Sequence, residues 1–351
     1  METKVIKIDR NNIKKEDFAE AGEILRNGGL VAFPTETVYG LGGDAMNPSA
    51  SKKIYAAKGR PSDNPLIVHI SEVSDIEALS TDIPEVAWWL AEKFWPGPMT
   101  MILKKKPSVP DETTGGLNTV AIRLPSDEIA RTLIRESGVF IAAPSANSSG
   151  RPSPTRASHV IEDLSGKIDM IIDGGKCDIG LESSIIDLSS DTPLILRPGF
   201  ITKEDFENVV KGVDYDRAVV SKTPEKNIVA RAPGMKYRHY APKGQITIVE
   251  GETEHVSEYI NKNIEALQEA GTRCAVICSD ENRCFYTAEH VYDLGSQKNE
   301  LSISSALFDV LRQLDTDNIS VIYSESFDTL KISAALMNRL RKAAGYNIVT
   351  V

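Results

Sequence analysis

The sequence predicts a mixed α/β chain of two domains: a twisted mixed sheet with flanking helices, then a smaller α/β/α layer of Rossmann-like order. Three observations carry this. The 351 residues exceed what a single hydrophobic core normally serves. Up to residue 213, many short β-type runs stand with few long helices between them, which fits a mixed sheet better than a regular doubly wound array. From residue 244 onward, strand and helix patterns alternate.

Lys4–Ile8 reads as a first strand, and Asp17–Asn27 places Phe18, Ala21, Ile24 and Leu25 on one helical face before Gly28-Gly29 stops it. The apolar run Leu30–Phe33 ends at Pro34, which removes a ladder donor, and a glycine-rich loop to Gly43 follows. A helix over Ala50–Lys58, a compact β-type run Pro65–Ile70, and helical stretches Val73–Leu79 and Pro84–Phe94 come next. Strands are expected at Met99–Leu103, Val120–Leu124, Val139–Ala143, Met170–Ile172, Ser184–Leu188 and Leu194–Leu196, with helices at Asp127–Glu136 and Lys203–Lys211. Trp88, Trp89 and Trp95 read as core or domain-contact aromatics. Residues 214–243 lose apolar periodicity and form a linker, so the domains are expected at 1–213 and 244–351. That linker holds Arg231, Lys236, Tyr237, Arg238, His239 and Tyr240 close together, more side-chain chemistry than a passive tether needs. The second domain follows as Gln245–Glu250, His255–Ala270, Cys274–Cys278, Leu301–Leu314, Ile319–Ser324 and Ile332–Ala343.

A net charge of −10 argues against broad electrostatic adhesion to nucleic acid or anionic membrane. Residues 1–243 carry 31 basic and 34 acidic side chains against 9 and 16 beyond them, so a basic patch is confined to the first part. The N-terminus lacks the apolar core of a signal peptide and no stretch approaches membrane-spanning length. Four cysteines make no disulfide framework and five histidines no zinc spacing; Cys274 and Cys278 read as buried hydrophobes on a strand. A cytoplasmic protein is expected.

The first domain gathers cations (Lys58, Arg60, Arg123, Arg197), hydroxyls (Thr35, Thr37, Thr119, Ser145, Ser153, Ser183) and His69, each near the end of an expected strand. Strand-end loops are where such sheets place ligands. Lys58 and Arg60 would offer an ammonium and a forked guanidinium from one turn, suited to phosphates. With no Walker A, kinase set or nucleophile elbow, what remains is chemistry by positioning two anionic substrates. No Gly-x-Gly-x-x-Gly follows the first strand of the second domain, so a dinucleotide there is not supported.

Pro34–Gly42, Lys58-Gly59-Arg60-Pro61, Pro144-Ser145-Ala146-Asn147 and His239-Tyr240-Ala241-Pro242 together resemble the Sua5/YrdC/YciO family, in its long two-domain Sua5 form. The resemblance implies a YrdC-like first domain and a Sua5-type second one. It implies a nucleotidyltransferase that makes threonylcarbamoyl-adenylate and pyrophosphate from L-threonine, bicarbonate or carbon dioxide, and ATP. The product would feed a tRNA threonylcarbamoyl transferase modifying adenosine 37 of tRNAs that read codons beginning with A; direct contact with tRNA is left open. By the same resemblance Arg60, Asn64, Thr119, Ser145, Ser153 and Arg197 would hold ATP, with Lys58 and Arg60 serving catalysis at the phosphates. Thr37, His69, Arg123, Ser183 and the backbone at Ala143 would hold threonine. Arg231 and Tyr237 would close the nucleotide side, the linker lying over the site. Magnesium is expected on the triphosphate, held mainly by phosphate and water.

Two other readings stand beside this one. A double-stranded RNA-binding module, which relatives of the first domain suggest, is opposed by the acidic balance. A carbamoyl-transfer maturation factor would need acylphosphatase-like and cysteine-rich zinc segments that the sequence lacks.

Overall fold

The computed structural model describes residues 2–220, 230–235, 239–328 and 330–351. Its first sheet runs, in spatial order, Lys4–Lys7, Met170–Asp173, Val31–Phe33, Gly40–Asp44, Ile141–Ala143, Ile67–His69, Thr119–Arg123, Met99–Lys104, Ser184–Asp187, Leu194–Arg197 and Asp214–Tyr215. Parallel and antiparallel pairs alternate irregularly along it, so the sheet is mixed as expected. One face packs Phe18, Leu25, Phe33, Ile129 and Leu133. The other packs Leu41, Ile54, Val68, Leu90 and Met101. Period-two alternation in the strands divides these sets between the faces.

The second sheet is parallel throughout, in the order Val291–Asp293, Cys274–Cys278, Val321–Glu325, Gln245–Glu250 and Ile348–Thr350. The Thr253–Glu269, Glu300–Thr316 and Ser333–Ala343 helices accompany it. Cys274 and Cys278 are buried and unpaired. Among the described residues no helix is long and apolar enough to cross a membrane.

Several elements differ from the sequence reading for identifiable reasons. The glycine-rich stretch is a strand, not a loop: Gly40–Asp44 pairs antiparallel with Val31–Phe33. A β-carbon on Gly42 would lie 2.6 Å from the Ile141 side chain and 2.8 Å from Phe33, so that glycine permits close packing, not ligand approach. Ala157–Leu164 is a helix with no counterpart in the expectation, and the helix expected to Lys211 ends at Glu207. The linker opens with Asp214–Tyr215 paired to Leu194–Ile195 and a turn of helix at Arg217–Val220. Trp95 is buried, its Nε1 donating to Met99 O at 2.8 Å. Trp89, expected inside, is 48% exposed.

The two domains share an apolar core in which Val38, Ile179 and Leu181 meet Leu307, Phe308 and Leu340. Tyr240 of the linker stacks on Phe308 with ring centroids 5.1 Å apart. Arg312, on the Glu300–Thr316 helix, is buried and donates to Pro152 O at 2.7 Å and Asp163 Oδ2 at 2.9 Å. Thr155 Oγ1 and Arg156 Nε reach Asp309 on the same helix. The second domain therefore grips the loop that carries Ser153.

Candidate functional site

Strand ends of the first sheet, the Ser145–Ser153 loop and the linker line one cavity that is partly open to solvent. One wall is built by the turn after Phe33. Pro34 closes the strand, and Thr35 Oγ1 donates to Val38 O at 2.7 Å while accepting the amides of Thr37 and Val38. With the Thr35 proton so committed, Thr37 supplies the proton of the 2.8 Å bond between the two hydroxyls. Thr35 lines the cavity. The Thr37 hydroxyl, expected at the threonine, is fully buried and bonded to the Thr35 hydroxyl, which carries the side-chain-to-backbone bonds of the turn.

The floor comes from two parallel strands in which His69 and Arg123 are register partners, about 4.8 Å apart across the ladder. Both are buried and both line the cavity, as does Ala143 from the antiparallel neighbour. Arg123 Nη2 lies 2.7 Å from Glu36 Oε1, yet the approach lacks hydrogen-bond geometry. Nε and Nη2 of Arg123 and both oxygens of Glu36 are left without hydrogen-bond partners. A buried guanidinium with unspent donors suits an incoming carboxylate. Glu36 escaped the sequence reading, its lone carboxylate being indistinguishable from a surface one.

The basic pair separates. Gly59, at φ 62°, ends the Pro48–Lys58 helix in the left-handed region. Arg60 then emerges into the cavity while donating to Asn64 O and Pro65 O. Lys58 turns the other way, buried under the Pro144–Asn147 loop, where its ammonium donates to Ser145 O, Asn147 O and Asn147 Oδ1. It is not among the residues lining the cavity. Here the ammonium, expected at phosphate, serves as a tether: the helix ends behind the loop, and the carbonyls there need donors. Ser145 lines the cavity, its Oγ donating to Asn147 Oδ1 at 2.6 Å. Asn64 sits just behind Arg60, its Oδ1 unpartnered.

On the opposite wall Arg197 lines the cavity, donating to Ser183 O at 2.9 Å, Ser183 Oγ at 3.0 Å and Pro233 O at 3.4 Å. Burial lowers its pKa to about 10 against the opposing pull of Glu182. Ser183, expected at the threonine, is buried outside the cavity lining, with Thr100 and Arg197 as its hydroxyl partners. Ser153 does line the cavity and donates to Glu182 Oε1 at 2.6 Å. Thr119 begins the strand that Arg123 ends. It shares Arg123's face but stands about 13 Å along it, beyond the lining residues. Arg231 is also turned away, bridging Asp187 of the first domain at 2.8 Å and Asp216 of the linker, and so clasps the linker to the sheet. Tyr237 lies outside the described residues.

The linker closes the cavity with Pro233, Gly234, His239 and Tyr240. Below it Ala232 and Met235 pack on Ile67, Ala121, Ile185 and Leu196. Lys342 Nζ, from the Ser333–Ala343 helix, holds Gly234 O at 2.8 Å. Asn147, from the Pro144–Asn147 motif, also lines the cavity, as do Arg151 and Glu182; the last two were not singled out from the sequence, because only contacts between distant segments bring them here.

Burial holds the imidazoles neutral. His69 is pushed down to about 3 by desolvation and then by Arg123, and His239 to about 3 by desolvation and then by Arg60. His159, behind the Ser153 loop, falls to about 4 from desolvation and then Arg312. A folded-state value below the ordinary 6.5 means the unfolded chain binds the extra protons, so stability is complete above pH 6.5 and declines as pH falls toward 4. Between pH 7 and pH 5 each such histidine removes about 1–2 kcal/mol. A lower melting temperature at pH 5, flattened by His159→Gln, is the expected result; equal melting at both pH values would contradict it.

The sequence matches two family models. The Sua5_yciO_yrdC model, described as telomere recombination, covers residues 23–199. That of the threonylcarbamoyl-AMP synthase C-terminal domain covers residues 201–345. The chain belongs to the Sua5/YrdC/YciO family. Among curated Sua5-family relatives, a threonylcarbamoyl-AMP synthase of Pyrococcus abyssi is 47% identical over 97% of this chain and 98% of its own. One of Bacillus subtilis is 46% identical over 97% and 96%. The crystal structure of P. abyssi Sua5 complexed with L-threonine superposes with a TM-score of 0.94 at 46% identity, covering 99% of this chain and all of that one. Escherichia coli YciO matches 56% of this chain and 96% of its own, at 26% identity and a TM-score of 0.52. Long Sua5-type relatives thus align with both domains, and YciO with about half of the chain.

Proposed function

We propose that the cavity joins L-threonine, carbon dioxide derived from bicarbonate, and ATP into threonylcarbamoyl-adenylate and pyrophosphate. The observation that carries this reading is the division of charge across one hollow. Arg123, with unspent donors, stands on the strand-end floor; Arg60 and Arg197 stand on other walls. A carboxylate and a polyphosphate can each meet a separate guanidinium within a single cleft. Full-length relatives that carry the synthase name, and a relative's complex with L-threonine, support it.

Arg123 would fork to the threonine carboxylate, and neutral His69 beside it would add a hydrogen bond without repelling the amine. Once deprotonated, the amine attacks carbon dioxide, forming an N–C bond and a carbamate. A carbamate oxygen then attacks the α-phosphorus of ATP. The P–O bond to the β-phosphate breaks, and its electron pair leaves with pyrophosphate. Arg60 and Arg197 would take up the charge growing on phosphoryl oxygens and leaving group. Ser145 and Ser153 would orient the nucleotide, and the linker would exclude water that could hydrolyse the adenylate.

No group of three or more His, Cys, Asp or Glu among the described residues could hold a metal. A magnesium ion carried on the triphosphate, with phosphate and water as its ligands, would supply charge neutralisation. The adenylate is a labile mixed anhydride, which calls for an acceptor enzyme nearby, a tRNA threonylcarbamoyl transferase in the cytoplasm. Incubating the protein with ATP, L-threonine and bicarbonate should release pyrophosphate and yield an adenylate of the matching mass, each substrate being required. Pyrophosphate release indifferent to threonine would reject the reading. Retention of double-stranded RNA without turnover would favour a binding module.

A further inference from the structure

We infer that the second domain, through Arg339, neutralises Glu182 and so keeps Arg197 available as an uncancelled cation for the phosphates in the cavity. Glu182 is the one carboxylate among the described residues that line the cavity. Alone, it would cancel Arg197 and repel a polyphosphate. Arg339, on the Ser333–Ala343 helix, is completely buried. Its Nε donates to Glu182 Oε2 at 3.0 Å and its Nη2 to Glu182 O at 3.3 Å. Nη1 is fixed by Pro198 O and Ala335 O. Glu182 Oε1 in turn accepts the Ser153 hydroxyl at 2.6 Å. The carboxylate is thereby held between a guanidinium from one domain and a nucleotide-side serine from the other. Two arginines against one carboxylate leave a net positive charge on this wall. An interface needing only cohesion would gain as much from apolar side chains, since burying an ion pair costs desolvation on both partners.

Arg339 is a positioning residue: it reaches the substrate through Glu182 and Arg197. The inference rests on the reading that phosphates meet Arg197, and the test separates the two. The Michaelis constants for ATP and threonine are measured in wild type, Arg197→Met, Arg339→Met and the double variant Arg339→Met with Glu182→Gln. Arg339→Met should raise the constant for ATP about tenfold or more, the effect of one uncompensated buried charge. Threonine should change less than about twofold. The double variant should return the ATP constant to near wild type, because the unpaired carboxylate is gone. A merely structural Arg339 would lower the melting temperature and move the ATP and threonine constants together, with no effect selective for ATP. An unchanged ATP constant in Arg339→Met, or a double variant no better than it, overturns the inference. Should Arg339→Met fail to fold, the double variant, which leaves no unpaired charge, decides alone: a tenfold-raised ATP constant there counts against the inference and a near-wild-type one for it. If Arg197→Met itself leaves ATP unaffected, the phosphate reading has failed instead.

Discussion

Arg123→Met should abolish threonine-dependent pyrophosphate release while leaving ATP binding near wild type. The guanidinium is buried beside neutral His69 with Nε and Nη2 unspent, so no neighbour can replace it for a carboxylate. Removing one side of a desolvated charge pair costs roughly 2–5 kcal/mol. That corresponds to a fall in kcat/KM for threonine of about 30-fold to several thousandfold. The same substitution strands Glu36, 2.7 Å away from the lost group, and an unpaired buried carboxylate lowers stability by roughly 3–5 kcal/mol. Stability and activity can be separated. Adding Glu36→Gln should restore most of the melting temperature and none of the threonine dependence. Recovery of turnover in that double variant would remove Arg123 from the substrate site.

Lys58→Met should also be severe, through the loop and not through the phosphates. Its ammonium is the donor for Ser145 O, Asn147 O and Asn147 Oδ1, and each buried acceptor left unsatisfied costs about 1–3 kcal/mol. The loop cannot keep its shape at that cost, and Ser145 and Asn147 line the cavity. We expect kcat/KM for ATP to fall about 100-fold, as a loss of about 2.7 kcal/mol in site geometry requires. Amide hydrogen exchange over residues 145–153 should quicken at the same time. Loss of turnover with exchange in that loop unaltered would restore Lys58 to a direct phosphate contact.

Much of the architecture was legible because local rules and tertiary packing agree. The runs at Pro65–Ile70, Met99–Leu103 and Cys274–Cys278 all became strands, as their β-branched and apolar composition dictates. Arg60, His69, Arg123, Ala143, Ser145, Ser153 and Arg197 were all marked in advance and all line one cavity. The charged and hydroxyl residues could be marked because strand ends and short motifs sit in contiguous sequence; Ala143 was marked by the family resemblance alone. Thr37, Lys58, Ser183 and Arg231 carry the expected functional groups, and in this structure those groups lie outside the cavity lining, bonded to neighbours. A motif states which donors are present; which way they turn depends on carbonyls and carboxylates elsewhere in the chain.

The two-domain α/β organisation, the mixed character of the first sheet, the Rossmann-like order of the second domain and the residue types near most strand ends were determined by the sequence alone, through period, breakers and caps. Tertiary structure alone decided that Gly40–Asp44 would be a strand wedged between Phe33 and Ile141. It also decided that Glu36 would face Arg123 and that Arg339 would reach Glu182 across 157 positions. The physical reason is range. Helix and strand signals act over a few residues, whereas the pairing of a buried charge is settled by whichever opposite charge the folded chain brings into the same low-dielectric space.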